Sequence, residues 1–238
     1  MGTGRYGAKH SSKLGGLSAK TTKNTTDKVK RILGNKTISP WTGTSDAVTL
    51  ENYLKATNPN RSAWYGTRIP IARYTENCQR CGPALDLRLA GYDVEALGKK
   101  RGDLHGVFSD YIPESYKHFY NNANWDKISA RDSFMAENQI ASRLPDVGAR
   151  AIVRIRWNDG NGNDIGGHVF NIVRTKNGLL GLDGQTNKVF PVQNYLKDGL
   201  YDGSMHILVT NKGGGTSDLY TVNGNIVDQY IKRHKSKK

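Results

Sequence analysis

Residues 166–183 have the sequence GGHVFNIVRTKNGLLGLD. Two apolar runs in this stretch flank the turn-forming segment Lys176-Asn177-Gly178. Short apolar runs separated by a glycine-containing turn are typical of a β-hairpin. The stretch therefore predicts two adjacent antiparallel strands, with His168 near the start of the first strand and Asp183 at the end of the second.

The segments around this hairpin predict the rest of an α+β fold. Residues 151–157 alternate apolar and polar side chains and end in the Asn- and Gly-rich run 158–163, which indicates another strand and turn. Residues 84–90 form an apolar run of helical length that ends at Gly91, a common C-terminal signal. The other expected elements are, in chain order, a short helix over 27–33, a helix around 50–54, an extended segment over 92–97, irregular aromatic loops over 99–128, a helix over 132–143 with Phe134 and Ile140 on its apolar side, and a strand over 205–210. Helices early and an antiparallel sheet later place the chain in the α+β class.

The composition allows a packed core. The chain has 238 residues, of which 36% are hydrophobic, and it contains 4 Trp, 12 Tyr and 5 Phe. No segment approaches the roughly 18–20 consecutive apolar residues that would span a bilayer. The first twenty residues lack the apolar centre of a secretory signal. We therefore expect a soluble protein without Sec-type export.

Positive charge is concentrated at the two ends of the chain. Residues 1–36 hold nine Lys or Arg against one acid, and residues 231–238 hold five Lys or Arg and no acid. Of the net charge of +14, the ends therefore account for 8 and 5, and residues 37–230 for only +1. We predict a basic flexible arm over 1–36, a folded domain over 37–230 and a basic tail over 231–238. Such arms either bind nucleic acid or an anionic surface through counterion release, or act as solvated tails.

The two cysteines, Cys78 and Cys81, are too few for a disulfide framework or a four-cysteine zinc site. A thioredoxin-like redox pair would need a preceding apolar strand, and residues 73–77 do not form one. Cys78 lies at the start of the predicted helix, where the helix dipole and unpaired N–H groups favour a thiolate and can hold an oxyanion. If the helix instead begins at Cys81, the assignment of the nucleophile moves with it. Neither a metal nor a nucleotide cofactor is expected, because no glycine-rich phosphate loop is present.

A thiol nucleophile needs an imidazole to take its proton and a third group to orient that imidazole. His168 and Asp183 lie at neighbouring ends of the predicted hairpin, where antiparallel pairing brings them together. Each residue alone is more often structural, but a helix-starting cysteine, a histidine and a carboxylate jointly match one mechanism. The other histidines, at positions 10, 105, 118, 206 and 234, lack such a setting.

Several segments resemble a known family. They are, in order, NCQRCGPA at 77–84, LRLAGYDVEA at 87–96, GAR at 148–150, GHVFNIV at 167–173 and LDGQT at 182–186. These segments resemble the papain-fold toxin, or glutamine deamidase, domains that occur in bacterial polymorphic toxins and fused to phage head proteins. The similarity extends from about residue 58 to about residue 196.

The resemblance implies a papain-like fold, in which the helix carrying the cysteine packs on an antiparallel sheet carrying the histidine and the aspartate. It implies that Cys78 is the nucleophile, that His168 is the general base and later acid, and that Asp183 orients the imidazole. Asn77 and Gln185 would shape the site. The glutamine that precedes the nucleophile in papain-like enzymes has no counterpart here, so the oxyanion hole would depend on backbone N–H groups, including that of Cys78.

The implied function is a cysteine-dependent amidohydrolase that deamidates a glutamine side chain in a target protein, as a toxin or effector. One alternative is a papain-like thiol protease that cleaves a peptide or isopeptide bond. Another is a virion-internal or DNA-associated protein that acts through its basic arms. The expected partners are a protein substrate, nucleic acid at the arms, and an immunity or virion partner, and the protein is expected to be virion-associated or delivered into a target cell. The residues do not determine the target protein or the oligomeric state.

Overall fold

The computed structural model describes residues 32–62, 72–99, 118–158, 161, 164–196 and 205–234. The helices in these ranges are α1 (Ala47–Thr57), α2 (Ala72–Thr75), α3 (Cys78–Leu89), α4 (Ser133–Arg143) and α5 (Val192–Leu196). The strands are β1 (Val94–Ala96), β2 (Asp126–Ile128), β3 (Ala149–Asn158), β4 (Asp164–Thr175), β5 (Gly178–Asp183), β6 (Lys188–Pro191), β7 (Met205–Lys212) and β8 (Ile231–Arg233). Two short 3₁₀ helices cover Pro59–Ser62 and Val227–Gln229. The predicted α+β class is confirmed, and no helix in the described ranges is long and apolar enough to cross a membrane.

Six strands form one antiparallel sheet in the order β2-β7-β3-β4-β5-β6. The predicted hairpin is the β4–β5 pair, in which Thr175 pairs with Gly178 and Asn171 pairs with Leu182. The strand predicted over 151–157 is β3, which pairs with β4 on one side and with β7 on the other. The central position of β3 and β4 explains why their apolar residues are buried on both faces.

Alternate residues of β4 face two different layers. Val169, Asn171 and Val173 face α3, since Val169 packs in one cluster with Cys81 and Ala84, and the Asn171 side chain donates to the carbonyl of Gly82. Phe170 and Ile172 belong to the cluster on the opposite face, which includes residues of α4 and α5. The sheet is thus covered by α3 on one face and by α4 and α5 on the other.

Helix α3 is almost completely enclosed. Ten of its twelve residues are buried, because the sheet, α1 and the two-stranded β1–β8 ribbon surround it. The helix ends at the predicted glycine: Gly91 has φ +103°, and a Cβ atom there would lie 3.1 Å from the carbonyl oxygen of Ile38. Only glycine combines that backbone conformation with that close approach.

The structure also corrects the sequence predictions in places. The short strands β2, β6 and β8 were not predicted. Strand β8 lies inside the predicted basic tail, because Ile231 is buried and the backbone of 231–233 pairs with β1. Phe134 was expected on the apolar side of α4 but is 64% exposed, whereas Ala136 and Ile140 are fully buried.

Some predictions lie partly or wholly outside the described residues. These are the flexible arm over 1–26 and any nucleic-acid contact it makes, most of the aromatic stretch over 99–128, and residues 235–238 of the basic tail. Of the helix expected over 27–33, Ile32 and Leu33 are helical, and Gly34 follows with φ +83°. Leu33 packs in the same core cluster as Cys81, so the chain joins the fold before residue 37.

Candidate active site

Helix α3 begins at Cys78, which decides the alternative left open by the sequence. The carbonyl oxygen of Asn77 accepts the N–H groups of Arg80 at 2.8 Å and Cys81 at 3.0 Å, so the first turn closes on Asn77. Cys78 is therefore the first helical residue, where the helix dipole favours an anion. Cys78 is partly exposed, whereas Cys81, one turn further on, is 1% exposed. Of the two thiols, only Cys78 is accessible to solvent.

The side chain of Asn77 is directed into the base of the helix. It makes no side-chain cap, and its amide instead exchanges hydrogen bonds with the amide of Asn58 at 3.3 and 3.4 Å. It also donates to the carbonyl of Leu97 and accepts from the Cys81 thiol. Asn77 and Asn58 are both almost fully buried, so this pair holds the segment before Cys78 in place. Asn58 was not singled out in the sequence, because its partner is 19 residues away.

The β4–β5 hairpin brings His168 and Asp183 into contact. His168 Nε2 lies 3.0 Å from Asp183 Oδ2, and the two residues are 6% and 2% exposed. The pairing register explains this contact, since Asn171 lies opposite Leu182 and Asp183 is the next residue toward the His168 end of β4. With Nε2 bonded to the carboxylate, Nδ1 is the ring nitrogen left for Cys78, whose interaction with the ring contributes to raising the pKa of His168.

Both oxygens of Asp183 are occupied. Oδ1 accepts the backbone N–H groups of Gln185 at 2.9 Å and Thr186 at 3.2 Å, and Oδ2 accepts the Thr186 hydroxyl at 2.7 Å in addition to His168. Burial alone would raise the pKa of this carboxyl, but the hydrogen bonds from His168 and Thr186 outweigh it and lower the pKa below its ordinary value of 3.8. The carboxylate is therefore ionised and fixed in orientation. Thr186 was missed as a site residue, although an aspartate followed by turn residues is the usual signal for such a backbone-capping turn.

His168 is held as an imidazolium. Burial on its own would lower its pKa, but hydrogen bonds with Asp183 and Cys78 outweigh burial and raise the pKa of His168 from 6.5 to about 10. The geometry thus brings together Cys78, His168 and Asp183, the three residue types that nucleophilic acyl transfer requires.

Two further side chains link the hairpin to the cysteine segment. Gln185 donates from Nε2 to the carbonyl of Thr75 at 2.6 Å, and Asn171 donates from Nδ2 to the carbonyl of Gly82 at 3.0 Å. The first bond is made three residues before Cys78 and the second four residues after it. The amide nitrogen of Gln185 therefore binds the backbone that precedes Cys78.

The rest of the described structure offers no competing site of this kind. No group of three His, Cys, Asp or Glu residues that could hold a metal ion occurs among the described residues. His206 lies on β7 opposite Arg154, and His234 lies 3.4 Å from Glu95. A cavity of about 660 Å³ lined by Leu33, Asp93 and other residues near the β1–β8 ribbon contains none of the three site residues. The candidate site is therefore identified by its residue types and their interactions, and not by the volume of a cavity.

Comparison with known proteins finds one matching family model. Residues 76–188 match the family model described as papain fold toxin 1, glutamine deamidase. The match begins two residues before Cys78 and ends five residues after Asp183, so it spans the whole site. The resemblance and the papain-like fold predicted from the sequence are confirmed.

Two solved structures are similar at low sequence identity. They are variants of the Salmonella effector SpvD, at 15% identity with a TM-score of 0.49 and at 14% identity with a TM-score of 0.41. The similarity covers 80% and 79% of this chain, respectively, and 90% of each effector chain. None of the curated proteins matches the sequence.

Proposed function

We propose that this chain is a cysteine-dependent amidohydrolase that deamidates a glutamine side chain in a target protein, as a toxin or effector. In this proposal Cys78 is the nucleophile, His168 is the general base and acid, and Asp183 orients the imidazole. The supporting observation is that the match to a glutamine deamidase family spans Cys78, His168 and Asp183, and that the His168 ring interacts with Cys78 and lies 3.0 Å from the Asp183 carboxylate.

The first half of the reaction forms a thioester. The Cys78 thiolate attacks the side-chain carbonyl carbon of the glutamine, and the negative charge moves to the amide oxygen. The backbone N–H of Cys78, the first N–H of α3, is suitably placed to stabilise that oxyanion. The C–N bond then breaks, and ammonia leaves with the proton that His168 carries.

The second half releases glutamate. His168, now neutral, removes a proton from water, and the resulting hydroxide attacks the thioester carbon. The C–S bond breaks, which restores the thiolate and the imidazolium. Asp183 keeps its charge throughout, because its role is to hold the ring orientation and to stabilise the imidazolium.

Active-site alkylation tests the catalytic assignment. Full-length protein is treated with iodoacetamide at pH 6.5, and labelling is mapped by mass spectrometry. We expect rapid labelling at Cys78, at least about tenfold slower labelling in His168→Ala, and an unchanged rate in His206→Ala, which removes a histidine outside the site. Slow, histidine-independent labelling of Cys78 would overturn the assignment.

Substrate chemistry separates the deamidase from the thiol protease, since both break an acyl–nitrogen bond with the same three side chains. The protein is incubated with a library of peptides that each contain one glutamine, and with a target-cell lysate. Deamidation releases ammonia and adds about 1 Da at a glutamine without chain cleavage, whereas a protease produces new termini. A Cys78→Ala variant gives the background for both readouts.

A further inference from the structure

Cys81 has no role in the proposed reaction, yet it lies one turn from the nucleophile. In an α-helix, residues three positions apart have Cα atoms about 5 Å apart, which is within the range that a disulfide spans. Their Cβ atoms are about 5–6 Å apart and must approach by about 1–2 Å. Cys78 can make that movement because, as the first residue of α3, its own N–H is not part of the helical hydrogen-bond ladder.

The two thiols differ in the way that a sensor pair requires. Cys78 is partly exposed and lies at the start of α3, so it is the thiol that a small oxidant meets first. Cys81 is 1% exposed, and burial together with the nearby Cys78 and Asp183 raises the pKa of its thiol well above the ordinary value. It is therefore protected from direct oxidation but adjacent to the oxidised product.

The surroundings of Cys81 direct its sulfur toward the start of the helix. Its thiol donates to Asn77 Oδ1 at 3.3 Å, one turn back along the chain. On the other side, a Cβ atom built on Gly184 would lie only 3.1 Å from the Cβ atom of Cys81, so the hairpin end packs tightly there. Side chains of a helix tilt toward its N-terminus, which also brings the Cys81 sulfur toward Cys78.

We propose that Cys78 and Cys81 form a reversible redox switch that inactivates the site when a hydroperoxide oxidises Cys78. The Cys78 thiolate attacks one oxygen of the hydroperoxide: an S–O bond forms, the O–O bond breaks, and an alcohol or water leaves, giving sulfenic acid. The Cys81 sulfur then attacks the Cys78 sulfur: the S–S bond forms, the S–O bond breaks, and the hydroxyl leaves as water with the proton from Cys81. A dithiol supplies the two electrons that restore both thiols.

The pair is a regulatory device and not a disulfide-exchange enzyme. In the described part of the chain, the short helix α2 precedes Cys78, and not the strand that a thioredoxin-like motif requires. The disulfide would remove the nucleophile of the proposed amidohydrolase. The consequence for activity therefore depends on the proposed function, but the formation of the bond does not.

The sequence makes the bond easy to detect. Trypsin cleaves after Arg73, Arg80 and Arg88, which separates Cys78 in peptide 74–80 from Cys81 in peptide 81–88. Reduced full-length protein is treated with hydrogen peroxide, blocked with N-ethylmaleimide and digested without reductant. We expect the two peptides to be joined, with a mass about 2 Da below their sum, and to separate again after dithiothreitol.

Cys81→Ser is the matched variant, because a serine hydroxyl can still donate to Asn77 Oδ1. In this variant, we expect peptide 74–80 to gain about 32 Da as the sulfinic acid, and Cys78 to lose its recoverable iodoacetamide reactivity several-fold faster than in the wild type. Sulfinic acid in the wild type at the rate of the variant, without joined peptides, would overturn the proposal. So would joined peptides of mixed isotopic composition from a mixture of ¹⁵N-labelled and unlabelled protein, since they would show a bond between chains.

The outcome is separable from the test of the proposed function. Joined peptides in a protein that deamidates no glutamine would support the redox switch and contradict the proposed amidohydrolase activity. Deamidation that persists in peroxide, without joined peptides, would support the amidohydrolase activity and contradict the redox switch. If Cys81→Ser fails to fold, the peptide mapping of the wild type still decides the proposal.

Discussion

Replacing Asp183 by asparagine exchanges one carboxylate oxygen for an NH₂ group. The hydrogen bonds of Asp183 determine which of the two oxygens is exchanged. Oδ1 of Asp183 accepts two backbone N–H groups, at 2.9 and 3.2 Å, whereas Oδ2 faces His168 Nε2 at 3.0 Å. Only the oxygen of an asparagine amide can accept those two N–H groups. The amide oxygen must therefore take the Oδ1 position, and the NH₂ group must face His168.

This orientation reverses the roles of the ring nitrogens. An NH₂ group can only donate, so Nε2 must accept, and the single proton of the neutral ring moves to Nδ1, the nitrogen facing Cys78. The ring then cannot take the thiol proton, and an imidazolium would direct an N–H against the NH₂ group. The pKa of His168 should fall from about 10 to its ordinary value of 6.5 or lower. At pH 8 the imidazolium fraction would drop from about 0.99 to about 0.03, roughly 30-fold.

The alkylation rate of Cys78 measures this loss directly. We expect the Asp183→Asn variant to label at least about tenfold more slowly than wild type between pH 7.5 and pH 8. In serine protease triads the corresponding exchange lowers kcat by about 10⁴, so deamidation should fall further than labelling. Asp228→Asn is the matched control, because Asp228 is an exposed carboxylate that pairs with Arg233 and not with His168. A folded Asp183→Asn variant that labels at the wild-type rate would refute the reasoning.

The buried ion pair between Asp86 and Arg150 should behave as a unit: Arg150→Met should cost about 3 kcal/mol in urea unfolding because it leaves Asp86, which is 3% exposed, without this partner, and adding Asp86→Asn should recover more than half of that loss. Purely additive losses would contradict this. Asp183, with its lowered pKa, stabilises the fold above its unfolded pKa of about 3.9 and loses this effect as the pH falls through its folded value. Thr186→Val removes one hydrogen bond to it and should move acid unfolding, followed by circular dichroism, to higher pH; an unchanged midpoint would count against the bond. Gly181→Ala would place a methyl group 1.9 Å from the Phe190 ring and should cost about 1–3 kcal/mol in thermal or urea unfolding. Phe190→Ala in the same chain should relieve the clash, and no relief would point to another cause.

The parts of the fold that the sequence predicted are those fixed by neighbours in the chain. The contact of His168 with Asp183 could be predicted because one hairpin separates them by only 15 residues. Helix α3 could be predicted because its apolar run and Gly91 are local signals. Strand β8 could not, because its three residues alternate too briefly to be recognised and pair with β1 far away in the sequence. Local patterns report periodicity, whereas short strands form only because a distant partner is present.

The site residues that the sequence analysis did not predict also divide into those with a partner nearby in the chain and those with a distant partner. Thr186 could have been found, since its hydroxyl and N–H bind a carboxylate three residues earlier. Asn58 could not, because an asparagine in a polar run carries no sign of a buried partner 19 residues away. Phe134 was misplaced for a related reason, since a large apolar residue in the first turn of a helix can lie outside the packed stripe.

Two hydrogen bonds from side-chain amides of the hairpin to backbone carbonyls hold the segment that contains Cys78 against the hairpin that contains His168. Gln185 binds the carbonyl of Thr75 and Asn171 binds that of Gly82, so the hairpin holds the cysteine segment on both sides of Cys78 through its main chain. In both hydrogen bonds, the acceptor in the cysteine segment is a backbone carbonyl and not a side chain. The position of Cys78 relative to the hairpin therefore depends on the two amides and on the packing of α3 against the sheet. Pre-organisation of this kind is what places a thiolate within reach of one carbonyl carbon at little entropic cost during the reaction.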